Sequence, residues 1–326
     1  MIIVTGGAGF IGSAIVCRLN QRGLEDIIIV DHLGDSAKWK NLVALRFADY
    51  FDKTDFIAKL EGGYFADTIR AVFHMGACSS TTENNADYLL ENNYRYTARL
   101  AQWQQAHRRV RFIYASSAAT YGAGEQGYRD DEMGLHRLRP LNMYGYSKHL
   151  FDLLARRQGW LEHVVGLKYF NVYGPNEYHK GEMRSVINKA YPIVRDEGKI
   201  RLFHSYRSEY KDGEQRRDFI YVKDAVEMTL FFLEKPQING IFNIGTGQPR
   251  TWNELATALF KAAGKPLDIE YIPMPEDLKE KYQYDTCADM GKLQAAGCRH
   301  ACRDLESAVQ EYVADYLQPQ AYLASV

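Results

Sequence analysis

Met1-Ile-Ile-Val-Thr5 followed by Gly6-Gly7-Ala8-Gly9-Phe10-Ile11-Gly12 opens the chain and decides its fold. Four apolar residues and a threonine form a short strand. Gly7-x-Gly9-x-x-Gly12 then turns the chain tightly into an amphipathic stretch that reads as a helix over 10–22. Glycine is needed in such a turn where backbone must approach a phosphate and where helix packs on strand. The helix N-terminus presents unpaired N–H groups and a partial positive charge to that phosphate. The turn therefore reads as the cradle of a dinucleotide pyrophosphate, with Gly6, Gly9, Phe10, Ile11 and Gly12 as its lining.

The same alternation continues outward. Further strands are expected over Asp26–Val30, Ala71–Met75, Arg111–Ser116 and Val164–Phe170, with helices over 83–107 and 143–158. Val- and Ile-rich runs without polar alternation suit strands covered on both faces. Strands interleaved with amphipathic helices predict an α/β protein, a Rossmann-type doubly wound parallel sheet. The composition changes after Tyr173-Gly-Pro175, where 176–217 is polar, charged and Tyr-rich. Asp218–Asp224 and Gly240–Gly247 again read as sheet. The expected organisation is a nucleotide-binding domain, 1–172 and 218–250, with a smaller, discontinuous α/β substrate domain, 173–217 and 251–326. The cleft between them is the expected active site.

Composition removes several function classes. A net charge of −1 over 326 residues gives no field to attract nucleic acid or an anionic membrane. No apolar run approaches the roughly 18–20 residues that cross a bilayer. The first residues carry no basic stretch, so a signal peptide is not expected. The five cysteines (Cys17, Cys78, Cys287, Cys298, Cys302) show no zinc spacing and read as reduced, in a cytoplasmic protein. No metal constellation is visible.

Asp31 lies at the end of the second strand, 19 positions after Gly12. A carboxylate there normally bonds the ribose 2′-hydroxyl of NAD and repels the 2′-phosphate of NADP. Lys38 and Lys53 oppose that reading, because either can reach a 2′-phosphate as a point charge. The residues leave the choice between NAD and NADP open.

Tyr144 and Lys148 stand four apart and share one face of a helix. A free phenol titrates near ~10, and a neighbouring ammonium favours its phenolate. Ser117, at a strand end, is placed to hold a substrate oxygen. Tyr146, two residues from Lys148, faces elsewhere. A hydroxyl, a phenol and an ammonium behind a dinucleotide turn point to proton transfer coupled to hydride transfer at a carbinol carbon. Arg217 is a candidate clamp for phosphate oxygens. Its alternative role is an ion pair with Asp218. Asn171 is expected at a strand end facing the cleft.

The motifs together resemble the extended short-chain dehydrogenase/reductase family. Phe10-Ile-Gly12, Ala115-Ser-Ser-Ala-Ala-Thr-Tyr-Gly122, Tyr144-Gly-Tyr-Ser-Lys148, Tyr169-Phe-Asn-Val-Tyr-Gly-Pro175 and Arg217-Asp-Phe-Ile-Tyr-Val222 carry the resemblance. It implies a nicotinamide cofactor acting on a nucleotide-sugar. Members that eliminate water have acidic residues after the strand-end hydroxyl, where this chain has Ala118 and Ala119. Epimerisation or simple reduction therefore remains.

A closer likeness, to the nucleotide-sugar 6-epimerases of that family, rests on three further runs. These are His74-x-Gly-Ala-Cys-Ser-Ser-Thr-Thr-Glu83, Glu91-Asn-Asn-Tyr94 and His179-Lys180-Gly181. It implies an ADP-heptose substrate inverted at carbon 6, a homo-oligomer, typically a pentamer, and tightly held NADP. The implied cofactor contacts beyond the turn are Asp31, His32, Lys38, Lys53, Met75, Gly76, Ala77, Cys78, Ser79, Asn92, Tyr144, Lys148 and Lys180. The implied substrate contacts are Ser117, Asn171, His179, Lys189, Phe203, Ser205, Arg217 and Tyr282. Tyr144, Lys148, Lys180 and Ser117 form the implied catalytic set. From its residues alone Lys180 is a surface lysine in a polar loop; only the resemblance gives it a second acid/base role. His32, Met75 and Lys189 stand where the pattern has Asn, an acidic residue and His. Two rival readings stay open: a reductase or 4-epimerase of another nucleotide-sugar, and a cofactor-sensing module without catalysis.

Overall fold

The computed structural model describes residues 1–65, 68–279 and 282–324. The chain starts β1 (Ile2–Thr5), α1 (Phe10–Gln21), β2 (Ile27–Asp31), β3 (Asp49–Asp52), α2 (Lys53–Glu61) and β4 (Ala71–His74). It continues α3 (Ala86–Leu89), α4 (Tyr96–Ala106), β5 (Arg111–Ser117), α5 (Met143–Arg157) and β6 (Val164–Tyr169). Then come β7 (Asn171–Tyr173), α6 (Val186–Glu197), β8 (Ile200–Phe203), β9 (Arg216–Arg217), β10 (Phe219–Tyr221), α7 (Val222–Glu234) and β11 (Gly240–Ile244). β12 (Arg250–Thr251), α8 (Trp252–Ala262) and β13 (Ile269–Ile272) follow.

Seven strands form one sheet in the order β11-β6-β5-β4-β1-β2-β3, and every neighbouring pair within it is parallel. The doubly wound Rossmann-type sheet is therefore present. Alternate side chains of each strand enter opposite layers, as the strand period of two requires. Val4, Ile27 and Ile29 join the cluster with Ile15, Val16, Val226 and Leu230 of α1 and α7. Ile3, Ile28 and Val30 join Phe56, Leu100 and Phe151 of α2, α4 and α5. The order of strands reverses between β1 and β4, and ligands bind at the carboxyl ends of strands beside such a switch point.

A second core gathers Ile187, Val194, Leu202, Leu255, Leu259, Val309 and Tyr312 around α6, β8 and α8. Three two-stranded sheets, β7–β10, β8–β13 and β9–β12, stand apart from the seven-stranded one. Leu293, Cys298 and Leu323, late in the chain, pack into the α1/α7 layer.

Two element expectations are corrected. Residues 83–107 are not one helix: α3 starts at Ala86, and Leu90–Arg95 widens into a π-type turn before α4. Val222-Lys223-Asp224 do not extend a strand; β10 stops at Tyr221 and α7 begins. Among the described residues, no helix is long and apolar enough to cross a membrane.

Candidate active site

One cavity of about 700 Å³ runs along the carboxyl ends of the strands. Its floor is the glycine turn. Gly6 adopts φ +66°, and a Cβ on Gly12 would sit 2.1 Å from the Gly6 carbonyl oxygen. Only glycine lets α1 start this close to the turn. No side chain caps α1 and no acidic residue lies in its first turn. Its leading N–H groups and positive dipole end are therefore left without a capping side chain beside the cavity. These features fit a dinucleotide pyrophosphate, and Gly6, Gly9, Phe10, Ile11 and Gly12 all line the cavity.

Asp31 closes β2 in the same cavity. Its carboxylate accepts from the Ala8 and His32 N–H groups and from Lys38 Nζ at 2.6 Å. A smaller adjoining cavity, about 130 Å³, is lined by Asp31, His32, Lys38, Lys53 and Asn92. Lys53 donates to Asn92 Oδ1 and His32 pairs with Asp52. Met75, Gly76, Ala77, Cys78 and Ser79, the run after β4, line the main cavity.

The opposite wall carries the proton-transfer groups. The Asn142 side chain accepts from the Gly145 N–H and starts α5, which brings Tyr144 and Lys148 onto the cavity. Ser117 ends β5 and lines the cavity beside Tyr144. Burial pushes the Tyr144 phenol up, Ser117 pulls it back, and Cys78 raises it further. Lys148 Nζ donates to the Ala115 carbonyl at 2.8 Å. Burial pushes Lys148 down to about 8, against Asp152 and Cys78, which hold the charge on. Tyr146 is exposed, as its offset predicts.

Lys180 is not a surface lysine. The loop from Gly174 to Ser185 carries it into the cavity, where its ammonium lies 5.1 Å from the Phe10 ring centroid. Fully buried Glu177 holds the loop, accepting from Ser185 Oγ at 2.6 Å and Tyr312 OH at 2.9 Å. Burial lowers Lys180, with Glu177 opposing. His179 beside it is held near 4 by burial, then by Lys38 and Lys180. At neutral pH it is an uncharged imidazole.

Asn171 lines the cavity, at the start of β7. The remaining predicted substrate residues sit beyond it. Arg217 does not pair with Asp218, whose carboxylate is taken by the N–H groups of Thr246, Gly247 and Ala288. Its guanidinium instead lies 5.0 Å from the Tyr282 ring and 5.7 Å from the ring of Trp252, a cavity residue. Tyr282 in turn meets Phe203 edge-on. Lys189 is outside the cavity lining and donates to the Glu182 carbonyl, and Ser205 Oγ donates to the Arg207 carbonyl.

Several site residues escape a reading from sequence. Asn93, buried in the π-type turn, clamps the Cys78 N–H and carbonyl and donates to Ser147 on α5. The Asn92-Asn93 pair inside a helical run was the available signal, since such turns recur at functional sites. Asn41 Nδ2 donates to the carbonyls of Ala8 and Asn176, tying the glycine turn to the Lys180 loop. Val172, Met183, Arg184 and Trp252 also line the cavity. Away from it, ligand atoms of Asp224, His300 and Cys302 lie within 4.8 Å of one another, but Asp224 already accepts from His300 and Arg303.

Comparison with known proteins agrees with this arrangement. The ADP-L-glycero-D-manno-heptose-6-epimerase of Nitratidesulfovibrio vulgaris is 56% identical over 317 residues, 97% of this chain and 98% of its own. The protein of that name from Fusobacterium nucleatum is 47% identical, over 97% of this chain and 98% of its own. The crystal structure of the Helicobacter pylori ADP-L-glycero-D-manno-heptose-6-epimerase superposes with a TM-score of 0.77 at 26% identity, covering 96% of this chain and 95% of that one. The Thermus thermophilus UDP-glucose 4-epimerase, solved with NAD, gives 0.75 at 26% identity, over 98% and 99%. A family model described as "NAD dependent epimerase/dehydratase family" matches residues 2–245, the span that holds the glycine turn, the strand-end serine, the Tyr144–Lys148 face and the Lys180 loop. With its cradle and proton-transfer groups on one cavity, and with such relatives along its whole length, this chain belongs to the NAD dependent epimerase/dehydratase family.

Proposed function

We propose that the chain interconverts ADP-D-glycero-D-manno-heptose and ADP-L-glycero-D-manno-heptose by inverting carbon 6. The observation that carries this reading is the presence of two proton-carrying side chains on separate walls of one cavity, Tyr144 from α5 and Lys180 from the 174–185 loop. The names of the relatives supply the substrate. Inversion through a ketone needs proton transfer in two geometries, because the oxygen turns when the opposite face is presented. A nicotinamide in the cradle supplies a reversible two-electron sink for the carbon-6 hydride, so no net redox change results.

The chain's own groups do the rest. Burial shifts Lys180 down and Tyr144 up from their ordinary values. Each side chain carries a proton it can exchange with the carbon-6 oxygen. One takes the carbon-6 hydroxyl proton as the C–H bond breaks; the other returns a proton to the oxygen when the C–H bond re-forms on the opposite face. Ser117 holds that oxygen, and Lys148, fixed on Ala115, orients the cofactor ribose. His179 and Asn171 bind the sugar. Arg217, backed by Tyr282 and Trp252, clamps the ADP diphosphate, with Phe203 beside it; Ser205 and Lys189 lie outermost.

The same reading assigns NADP as cofactor and NAD as the weaker alternative. Lys38 already neutralises Asp31, and His32, Lys53 and Asn92 surround the adjoining space where a 2′-phosphate would sit. It treats 1–172 and 218–250 as the cofactor body and 173–217 and 251–326 as the substrate body. It also places the protein in the cytoplasm as a homo-oligomer, a pentamer, supplying heptose for the lipopolysaccharide core.

The test is incubation of the purified protein with ADP-D-glycero-D-manno-heptose, without added cofactor, following carbon 6 by NMR. Appearance of the L-glycero epimer is expected. No conversion after adding NADP+ and then NAD+ overturns the proposal, and stoichiometric consumption of NADPH would identify a reductase instead.

A further inference from the structure

Asp152 and Lys168 form an ion pair at 2.8 Å in which both side chains are wholly excluded from solvent. Such a pair is a poor device for stability. Desolvation consumes the Coulombic gain, and packed apolar residues of similar volume often serve as well or better. Its neighbours point to another use. Asp152 accepts from Tyr114 OH at 2.9 Å and Ser116 Oγ at 2.8 Å. Lys168 donates to Thr120 Oγ1 at 2.5 Å, and Thr120 donates to the Ser117 carbonyl at 2.7 Å. The Lys168 ammonium also lies 5.0 Å from the Tyr121 ring centroid. Gly166 makes room for this knot: a Cβ there would lie 2.4 Å from Tyr114 OH.

Three elements meet at this point: β5 through Tyr114 and Ser116, β6 through Lys168, and α5 through Asp152. Ser116 and Thr120 flank Ser117, which lines the cavity with Tyr144. On α5, Tyr144, Lys148 and Asp152 are spaced four apart and share one face. Neither Asp152 nor Lys168 lines the cavity.

We propose that Asp152 and Lys168 are positioning residues for the reaction, setting the register between the Ser116–Ser117 strand end and the Tyr144–Lys148 face of α5. The inference rests on the reading of those groups under Proposed function. The apolar-looking helix and strand could slide by a fraction of an ångström at little packing cost. Directional bonds to a shared carboxylate and ammonium do not allow that slide.

The decisive variant is the double replacement Asp152→Leu with Lys168→Met, which removes both charges together. It is expected to keep the wild-type melting temperature, cofactor content and KM, while kcat falls on the order of 10²-fold, the scale of a misplacement near 1 Å. Lys168→Arg, which retains a cation for Asp152, is expected to keep most of the wild-type kcat. Should the double variant not fold, Thr120→Val cuts the link to Ser117 and leaves the pair intact; a kcat loss of about tenfold at unchanged KM is expected. A folded double variant with wild-type kcat, or a Thr120→Val enzyme with wild-type kcat, overturns the inference. If the wild type itself leaves the heptose unchanged, the functional reading fails separately. The crystal structure of the double variant then decides. Loss of the Lys148–Ala115 bond supports positioning, and its retention overturns it.

Discussion

Lys38 Nζ lies 2.6 Å from Asp31 Oδ1, where β2 ends beside the glycine turn. The carboxylate that reads as a ribose ligand and the lysine that reads as a phosphate ligand are thus partners, both largely buried. A phosphate entering here meets a neutralised pair rather than a bare anion.

Lys38→Met uncovers that carboxylate. One charge-assisted bond of ~1.5–3 kcal/mol is at stake, so NADP affinity is expected to fall about 10- to 100-fold while NAD affinity changes little. Titration of both cofactors measures the ratio. Equal losses for NAD and NADP would remove Lys38 from cofactor choice.

Tyr144→Phe and Lys180→Met are each expected to lower turnover about 10²- to 10⁴-fold with either epimer, the usual share of a general acid or base. Cofactor content should persist in Tyr144→Phe. Near-normal turnover in one variant dismisses that residue; a loss with one epimer only assigns it to a single face.

The Lys148 ammonium, pushed down to about 8 by burial, is charged below that pH and neutral above it. A reaction that uses the charged form should lose kcat/KM as pH rises through about 8. Stability should move the other way. The unfolded chain holds this proton up to about 10.4, so between the two values folding releases it and this group's contribution grows with pH. Activity unchanged to pH 10, in a protein that stays folded, would show that Lys148 works without its charge.

Asn41→Ala leaves the Ala8 and Asn176 carbonyls without their shared donor. The expected destabilisation is about 1–3 kcal/mol, read from the denaturation midpoint. Weaker cofactor retention and a lower kcat should accompany it, because Asn41 joins the glycine turn to the Lys180 loop. A stability loss with unchanged kcat would restrict Asn41 to a structural role.

Much of the fold was legible because its signals are local. A four-residue apolar run, a glycine turn and an amphipathic stretch dictate β1, the turn and α1 whatever follows. The π-type turn at Leu90–Arg95 was not legible, since one extra residue per turn leaves the helical pattern nearly intact. The start of α7 at Val222 was hidden because Val222-Lys223-Asp224 alternates as a strand would.

By itself the sequence determined the parallel sheet, the glycine turn and the placing of Tyr144 with Lys148 on one helix face. Each follows from residues a few positions apart. Only the tertiary structure decided that Lys148 bonds Ala115, that Lys180 enters the cavity, that Arg217 faces rings rather than Asp218, and that Asp152 meets Lys168. Those outcomes depend on which distant groups surround a charge once water is excluded. The spacing of residues along a chain carries no record of that surrounding.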